Sequence, residues 1–539
     1  MKRFCVICCV LALILNAGCG RRETRVEYGN RNQILYKGNG TEPADLDPQI
    51  VTGVTEHHTI MALIEGLVTE DPKDLHPVPG VAERWDISPD GRVYTFHLRK
   101  NAKWSNGDPV TAHDFWESYK RILTPSLASK YAYMHFVVTN AEAFNKGTIT
   151  DFNEVGYKVL DDHTFQITLK SATPYFLSLM NHTSWFPVHL PTVRQYGDPY
   201  KRGNKWTRPG HFVGNGPFVL DEWKVNAVIV AKKSPTYWDR DNVRLNEIRF
   251  YPIDSADTEE RAFRSGQLHI TETIPLPKIE AYKQKHPQFL HIDPYLGTYF
   301  YRINTTKPPL NDKRVRKALA MAINREAIVE RITRGGQIPA YHFTPPGTAG
   351  YLTRARIGND VAEARKLLAA AGYPDGKGFP AVELLFNTSE AHRAIAEAIQ
   401  QMWKENLGIE IKLVNQEWKV YLDSQRTLDY QICRAGWIAD YVDPNSFLDM
   451  WVEGGGNNET GWGNPEYDRL IAMASRENDP EKRMELFQQA ETILLDELPV
   501  IPVYFYTHVG LRRPEVKGWY PTILDNHPYK YVYLEEPKN

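Results

Sequence analysis

Two strand-like runs joined by a long helical run place the strongest constraint on how this chain can fold. Val382–Asn387 and Ile409–Gln416 are rich in aliphatic residues, and the helical run Ser389–Leu407 lies between them. Strands that are connected through a helix pair in parallel, because an antiparallel pair needs only a tight turn. The sequence therefore predicts an α/β layer in the second half of the chain.

The remaining patterns predict two lobes. β-Branched and aromatic residues indicate strands at Val93–Lys100, Thr164–Lys170, Val228–Lys233 and Glu247–Ile253. Start and stop signals predict helices from Asp312 to about Arg334, over Val361–Ala371, and from Asp479-Pro480 to about Glu497. The tail Val500–Arg512 returns to strand character, so the chain can finish in its first domain. Connections that cross between two lobes would form a cleft, where ligands usually bind.

The N-terminus has the pattern of an export signal. Lys2 and Arg3 precede the apolar run Phe4–Leu15, whose 12 residues are too few to span a bilayer as a mature helix. The small residues that precede Cys19 resemble a bacterial lipoprotein signal, in which this cysteine is lipidated. An ordinary secretory signal is the alternative. The polar residues after Cys19, up to residue 33, are interpreted as a tether.

Composition narrows the class of protein. The chain has 64 Lys+Arg against 66 Asp+Glu, a balance that argues against a nucleic-acid binder, which needs a basic surface. Cys433 is the one cysteine beyond the signal, so neither an internal disulfide nor a thiolate zinc site is expected. No later run reaches about 18 apolar residues, which predicts a soluble body.

Enzyme signatures are missing from the sequence. It contains no His-Glu-x-x-His, no Gly-x-Ser-x-Gly and no phosphate-binding loop. The run 454–458, Gly-Gly-Gly-Asn-Asn, is interpreted as a loop, and His57-His58 as polar surface residues. These absences favour a binding function over catalysis, with no metal and no cofactor expected.

The segment Arg434–Pro444 carries the most information about function. Arg434 and Asp440 bracket an apolar, aromatic stretch after a predicted strand. A buried charge without a partner is costly, so each of the two needs an opposite charge. Either the two residues pair with each other or with local backbone, or each awaits a charge on a ligand. A zwitterion with separated ends would satisfy both.

The chain resembles the periplasmic oligopeptide-binding proteins, the solute-binding components of peptide ABC transporters. Besides the Arg434–Pro444 segment, the family's motifs recur in family order at residues 40–48, 65–67, 81–99, 104–112, 215–218, 311–316, 371–373 and 416–418. Each motif is weak alone, but their ordered succession over most of the chain is specific.

The resemblance implies an α/β fold with two lobes, an extra small domain and a ligand cleft between the lobes. The expected organisation is a signal peptide at 1–18 and a lipid-anchored tether at 19–33, followed by three domains. The first lobe is expected from residues 34–64, 190–296 and 508–539, the extra domain from 65–189, and the second lobe from 297–507.

The resemblance also assigns roles to residues. Asp440 matches the acidic residue that takes a peptide's α-ammonium, and Arg434 matches a partner for the carboxylate of shorter peptides. His392 matches a partner for the carboxylate of longer peptides, and its place in the first turn of a helix favours an anion. From the residues alone, a core or capping histidine is the alternative. The further candidates are ligand-facing residues: Trp418, Trp437, Gly436, Tyr131, Tyr504, Tyr506, and Thr52 and Val54 of an edge strand expected to pair with the ligand backbone.

Two positions depart from the family pattern. A lysine that some relatives carry corresponds here to Thr333, with Arg334 beside it. A cysteine pair of relatives corresponds here to Gly297 and Ile438, so a bond between these positions is absent.

The expected function follows from the resemblance. The protein would capture short peptides in the periplasm or cell envelope of a bacterium as a monomer and deliver them to a membrane-embedded ABC permease. It would touch the membrane only through the lipid on Cys19, and it would bind no nucleic acid. The alternatives are another solute on the same fold, namely a murein peptide, a nickel complex, haem or a sugar, or an extracellular peptidase.

Overall fold

The structure is a computed structural model that describes residues 23–536. The predicted signal peptide and Cys19 lie outside the described residues. Within them, no helix is both long enough and apolar enough to cross a bilayer.

The described chain alternates strands and helices throughout. The strands are β1 Ile34–Gly38, β2 Val68–Glu70, β3 Pro77–Pro79, β4 Ala82–Ile87, β5 Val93–Leu98, β6 Tyr157–Asp161, β7 Thr164–Thr168, β8 Phe218–Lys224, β9 Val228–Lys233, β10 Glu247–Tyr251, β11 Leu290–Ile303, β12 Ile338–Pro339, β13 Val382–Asn387, β14 Ile411–Gln416, β15 Ile432–Ile438, β16 Val500–Leu511, β17 Val516–Lys517 and β18 Tyr533–Leu534. The α-helices are α1 Arg25–Asn32, α2 Val54–Leu63, α3 Ala112–Leu123, α4 Ala141–Asn145, α5 Phe176–Leu179, α6 Leu190–Gln195, α7 Ala256–Arg264, α8 Ile279–Lys285, α9 Lys313–Met321, α10 Arg325–Ala327, α11 Val361–Ala370, α12 Glu390–Leu407, α13 Trp418–Arg426, α14 Asn445–Leu448, α15 Pro465–Ala474 and α16 Pro480–Glu497.

The predicted strand–helix–strand unit is confirmed. β13 and β14 pair in parallel from Val382↔Ile411 to Asn387↔Gln416, and α12 connects them. They belong to a six-stranded sheet of order β12-β16-β11-β15-β13-β14. α12 buries Ile395, Ile399 and Trp403 in the core beneath this sheet because these residues recur on one face of the helix.

A second, four-stranded sheet has the order β1-β10-β9-β8, with β1 parallel to β10. Helix α1 packs beside it, which corrects the predicted tether for residues 25–32. Thr24 and Glu27 form a reciprocal capping box, so this polar sequence has a helix start signal. The side chain of Gln33 then bonds the backbone of Leu534 in both directions, at 2.7 and 3.1 Å, and ties the segment to the C-terminal strand.

A third sheet, β4-β5-β7-β6, is antiparallel and packs against α3. A buried ion pair joins this unit to the segment that precedes α2. Arg121 of α3 donates to both oxygens of Asp47, at 3.0 and 2.5 Å, and to Gln49 at 2.7 Å. The pair is fully enclosed, so the two units are in contact through the protein interior at this point.

β11 and β16 are long antiparallel strands, of 14 and 12 residues, in the six-stranded sheet. Their register is continuous from Leu290↔Leu511 to Pro294↔Thr507 and resumes at Thr298↔Phe505. The interruption leaves a short stretch without ladder hydrogen bonds, which is a point where the strand pair can bend.

The helix predicted from Asp312 to Arg334 is wrong in its continuity. Asp312 does cap α9, accepting the Arg314 N–H at 2.8 Å, but α9 ends at Met321. Asn324 is extended and accepts the N–H of Ala327 at 2.9 Å, so it starts a new helical segment instead of continuing the old one. The helix signals at 361 and 479–480 are confirmed by α11 and α16.

Candidate functional site

Asp440 lies just beyond the end of β15, in a loop that is held rigidly. Its backbone N–H donates to the Ser446 hydroxyl at 2.8 Å, and the Trp437 indole donates to the Ser446 carbonyl at 2.7 Å. The Ala439 N–H donates to the Leu296 carbonyl of β11 at 2.8 Å. The Asp440 side chain is only 8% exposed.

Neutral groups surround the Asp440 carboxylate. The Tyr131 hydroxyl donates to Oδ1 at 3.3 Å, and Nε2 of His182 lies 3.4 Å from the same oxygen. The Ser184 N–H donates to Nδ1 of His182, which places the histidine's proton on Nε2. Burial, followed by the nearby histidines, lowers the pKa of His182 well below its usual value, so this ring is a neutral donor.

No cation compensates Asp440. Across residues 23–536, no Lys or Arg nitrogen lies within 4.0 Å of it, and Oδ2 is buried without a hydrogen-bond partner. Burial, with the negative charge of Asp449 adding to it, raises the pKa of Asp440 well above its usual value. Asp440 therefore does not pair with Arg434, and its charged form lacks a cationic partner within the described chain.

A cavity of about 110 Å³ opens beside Asp440. The sequence-predicted residues that line it are Thr52, Val54, Tyr131, Gly436, Trp437 and Asp440. Residues that sequence reasoning missed line it too, among them His57, Asn181, His182 and Asn526. Asn181 is 4% exposed, and neither polar atom of its amide has a hydrogen-bond partner. The only sequence signal for these residues was their polarity within apolar surroundings.

The predicted edge strand at Thr52–Val54 is wrong. Gly53 is extended (φ −99°, ψ 151°) but caps a helix, and Val54 is the first residue of α2. The Gly53 carbonyl accepts the His57 N–H at 3.1 Å, which draws the chain into a helical turn. Thr52 still presents an amide and a carbonyl that have no partner among the described residues.

The opposite wall of the cleft is the open edge of β15. On one side β15 pairs with β11 along its whole length, from Ile303↔Ile432 to Gly297↔Ile438. On the other side β13 pairs only with Ile432 and Cys433. The Arg434 carbonyl accepts hydrogen bonds from Tyr421 and Gln425. The edge from Ala435 to Ile438 is thus free to bond another extended chain. A side chain at Gly436 would lie 2.5 Å from the Tyr506 hydroxyl, so glycine leaves room for this tyrosine.

Arg434 is held by aromatic and neutral groups. It donates to the Tyr506 hydroxyl at 2.7 Å and to the Asn387 side chain at 3.3 Å, and its guanidinium lies 4.8 Å from the Tyr299 ring centre. In the part of the chain that the structure describes, no carboxylate lies within 4.0 Å of it, and its buried Nε has no partner. This guanidinium is permanently charged and has no counter-ion in the described chain.

Tyr504 and His392 complete the aromatic surroundings of Arg434. The Tyr504 ring stacks on Tyr299 at 4.7 Å, and the His392 ring lies 5.6 Å from Tyr299. His392 is in the first turn of α12, as predicted, where Ser389 caps its N–H. Burial, followed by the charge of Arg434, lowers the pKa of His392 well below its usual value, so it is neutral. Neither residue lines the cavity beside Asp440.

Trp418 bridges the cleft. It opens α13, and its indole donates to the Glu56 carboxylate of α2 at 3.3 Å. Its ring lies 3.1 Å from the position a Gly53 side chain would take. Trp418 therefore joins the six-stranded-sheet lobe to the segment that carries Thr52, without lining the cavity itself.

The interpretation of His57-His58 as surface residues is wrong. Helix α2 turns its histidine pair inward, so that His57 lines the cavity and bonds Asn526 at 2.9 Å. His58 is 7% exposed and lies 3.8 Å from both Glu272 and Asp525. Burial lowers the pKa of His58 to about 3, so it is neutral within this cluster.

The two positions that depart from the family pattern occupy different surroundings. Gly297 and Ile438 face each other across β11 and β15, in direct register. A side chain at Gly297 would approach the Ile438 side chain to 2.3 Å. The Ile438 side chain therefore packs directly on Gly297, where relatives have the bonded cysteine pair. Thr333 is 3% exposed, and the side chain of Arg334 turns back to the Arg331 carbonyl.

An uncompensated carboxylate beside an open strand edge, enclosed between two lobes, defines a solute-binding protein. Residues 76–459 match the bacterial extracellular solute-binding proteins, family 5 Middle, and the chain belongs to this family. The periplasmic oligopeptide-binding protein OppA of Escherichia coli is 41% identical over 514 residues, which cover 93% of this chain and 92% of that protein. The periplasmic murein peptide-binding protein MppA of E. coli is 38% identical over 509 residues, with the same coverage.

Solved structures indicate which conformation is observed. E. coli MppA matches with a TM-score of 0.89 and 37% identity, covering 94% of this chain and 99% of that one. Haemophilus influenzae OppA in complex with RPPGFSPFR also matches with a TM-score of 0.89 and 34% identity, covering 94% of this chain and 99% of that one. An unliganded open form of MppA matches at only 0.62, although identity (37%) and coverage (93% and 97%) hardly differ. The lobes are therefore arranged as in the peptide complex and not as in the open form.

The electrostatics of the Asp440 loop predict opposite effects for two similar substitutions. Asp440→Asn removes a charge that is buried without compensation, and we expect it to raise the free energy of unfolding of ligand-free protein by about 1–3 kcal/mol. Asp443→Asn breaks a bidentate pair with Arg483, both bonds 2.8 Å, and we expect a loss of about 3 kcal/mol. Urea unfolding at pH 7 measures both. Equal destabilisation by the two variants would show that Asp440 is structurally paired.

Proposed function

We propose that this protein captures short peptides outside the cytoplasmic membrane by their termini and backbone, and delivers them to an ABC permease. The uncompensated Asp440 carboxylate carries the proposal. A peptide's α-ammonium supplies the charge and the N–H donors that Oδ2 lacks, and burial strengthens this attraction because water is excluded. The printed functions of the relatives OppA and MppA, oligopeptide and murein peptide binding, support the assignment.

The peptide backbone is proposed to lie between the two walls of the cleft. The free edge of β15, from Ala435 to Ile438, and the unpartnered groups of Thr52 offer main-chain donors and acceptors. Every peptide presents the same backbone groups, so this mode of binding does not depend on side chains. Trp437 and Tyr131 line the cavity where the first side chains would lie.

Arg434 is proposed to bind the carboxylate of peptides whose length brings the C-terminus to it. Its guanidinium and Asp440 are six residues apart along β15 and the loop after it, a separation of at most about 20 Å. Neutral His392, beyond Tyr299, is proposed to donate a hydrogen bond to the carboxylate of a longer peptide. Tyr506 accepts a hydrogen bond from the guanidinium and orients it, and Tyr504 packs on Tyr299 beside it. Trp418 closes the cleft from the Glu56 side.

Closure is proposed to occur at β11 and β16. The predicted domain boundary at 296/297 falls where the register of these two strands is interrupted, and the boundary at 507/508 lies directly beside the interruption. The ion pair of Asp47 with Arg121 supports an extra domain (65–189) that moves with the first lobe (34–64, 190–296 and 508–539) against the second (297–507). A peptide that contacts both walls favours the closed arrangement by its differential affinity, and no bond is made or broken.

The loss of one charge tests the Asp440 assignment. Asp440→Asn should weaken trialanine binding by about 2–5 kcal/mol, which is about 30-fold to several thousand-fold in Kd, measured by calorimetric titration. Asp423→Asn, which breaks an exposed pair with Arg426, is the matched control and should leave Kd unchanged. Because burial raises the pKa of Asp440, binding to the wild type should weaken as pH falls, since the carboxylate loses its charge while the peptide ammonium stays protonated. Unchanged affinity of Asp440→Asn at pH 7 would reject the assignment.

A length series tests the role of Arg434. Arg434→Gln should weaken the binding of trialanine at least about tenfold more than it weakens the binding of tetraalanine or pentaalanine. The reason is that only one peptide length places the C-terminal carboxylate on the guanidinium. Tyr506→Phe removes a partner of Arg434 while keeping the charge, and should cause a smaller loss. If Arg434→Gln weakens all three peptides equally, Arg434 supports the strand and does not bind the carboxylate.

The protein is also proposed to be a monomer that is anchored in the cell envelope by a lipid on Cys19, with the segment before α1 as the link. The apolar run that precedes this cysteine supports the proposal. Cys19→Ala should move the protein from the membrane fraction to the soluble fraction of cells, and the mass of the mature wild-type chain should include the lipid. A wild-type chain cleaved elsewhere, without added mass, would show an ordinary secretory signal instead.

A further inference from the structure

A second cavity lies behind the Asp440 loop. Its walls come from residues 129–175 and residues 445–476, and it shares no lining residue with the cavity beside Asp440. It is the larger of the two, at about 590 Å³ against about 110 Å³. The proposed peptide site does not use it, so its chemistry requires a separate explanation.

Two buried oxygens in its wall have no partner. Oδ1 of Asp449 and Oδ1 of Asn445 are both enclosed and accept no hydrogen bond within residues 23–536. The Asn445 amide nitrogen donates to Asp449 Oδ2 and to the Tyr441 hydroxyl, each at 2.9 Å. Both amide hydrogens are therefore in use, which fixes Oδ1 as an acceptor. Asn445 is only 6% exposed, so water cannot freely satisfy this oxygen.

Asp449 has no counter-ion in the described chain, where no Lys, Arg or His nitrogen comes within 4.0 Å of it. The neighbouring Asp443 differs, because Arg483 binds both of its oxygens. Burial, with Asp443 adding to it, raises the pKa of Asp449 to about 8. A cation that reaches this carboxylate would relieve an unfavourable burial, as in the first cavity.

The remaining wall indicates an organic cation. Tyr133, Phe136 and Tyr175 line the cavity, and aromatic faces attract ammonium groups and pack on alkyl chains. A hard metal ion would need six or more oxygens, which the aromatic wall does not offer. The charges around the rim are a mixed set: Glu142 paired with Lys146 and Lys170, Lys130 paired with Glu459, and Glu453, Asp468 and Arg476.

We propose that this cavity is a second binding site, specific for a primary alkylammonium group. The side-chain oxygens of Asp449 and Asn445 accept hydrogen bonds from the N–H groups of the ammonium. Tyr133 and Tyr175 pack against its alkyl chain. The group belongs either to a free diamine or to a lysine side chain of a peptide. The two sources present the same chemistry, and the titrations below separate them.

Calorimetric titration with 1,5-diaminopentane tests the site on full-length protein dialysed free of ligand. We expect one molecule to bind per chain and Asp449→Asn to weaken binding about tenfold or more. Glu453→Gln, which removes a carboxylate from the rim of the same cavity, is the matched control and should change Kd less than about twofold. The neutral isostere 1,5-pentanediol should not bind.

Two results would overturn the proposal. One is no binding of the diamine to the wild type at about 10 mM. The other is an equal loss in Asp449→Asn and Glu453→Gln, which would show diffuse attraction to a negative surface. If Asp449→Asn does not fold, Tyr133→Leu replaces it, with a loss of about threefold or more expected from the missing aromatic face.

A second pair of titrations separates this site from the peptide site. Asp440→Asn should lose trialanine but keep the diamine, and loss of both would place the amine at Asp440 and overturn the proposal. Trialanine at saturation should leave diamine binding intact if the ligand is a free amine. If Lys-Ala-Ala displaces the diamine and loses affinity in Asp449→Asn while trialanine does not, the cation is the peptide's lysine side chain.

Discussion

A carboxylate that is buried without a counter-ion is the feature on which the rest of this structure depends. Asp440 is enclosed by Tyr131 and His182, both neutral, and keeps one oxygen without a partner. Burial of this kind opposes folding, so the surrounding loop must be held by other bonds. Ser446 and Trp437 supply them, and the pair of Asp443 with Arg483 anchors the same loop to α16.

The opposite charge is kept apart by the same strand. Arg434 and Asp440 lie at the two ends of the open edge of β15, and neither can reach the other. Tyrosine hydroxyls and ring faces satisfy the geometry of Arg434 without neutralising it. The chain thus holds two separated charges of opposite sign, and a zwitterion of suitable length can neutralise both at once. The open edge between them supplies hydrogen bonds that do not depend on ligand side chains.

Local patterns were sufficient where the interaction is local. The strand–helix–strand unit around α12, the caps at Asp312 and Asp479, and the strand character of the tail are all consequences of neighbouring residues. Prediction failed where a local competitor or a distant contact decided the outcome. Asn324 interrupted a long apolar periodicity by capping a new turn, and Thr24 with Glu27 turned a polar segment into a helix. Gly53 became a helix cap although its neighbours favour a strand.

By itself, the sequence determined the α/β class, the family, and the two charged residues at the ends of β15, because these depend on residue type and on order along the chain. Only the tertiary structure decided which polar residues line the cleft. His57, Asn181, His182 and Asn526 come from distant segments, and their inward orientation depends on how α2 and the C-terminal segment pack. The same holds for Asp449 and Asn445, whose unpartnered oxygens exist only because residues 129–175 close over them. Burial is a property of the assembled chain, and burial is what turns an ordinary polar side chain into a binding group.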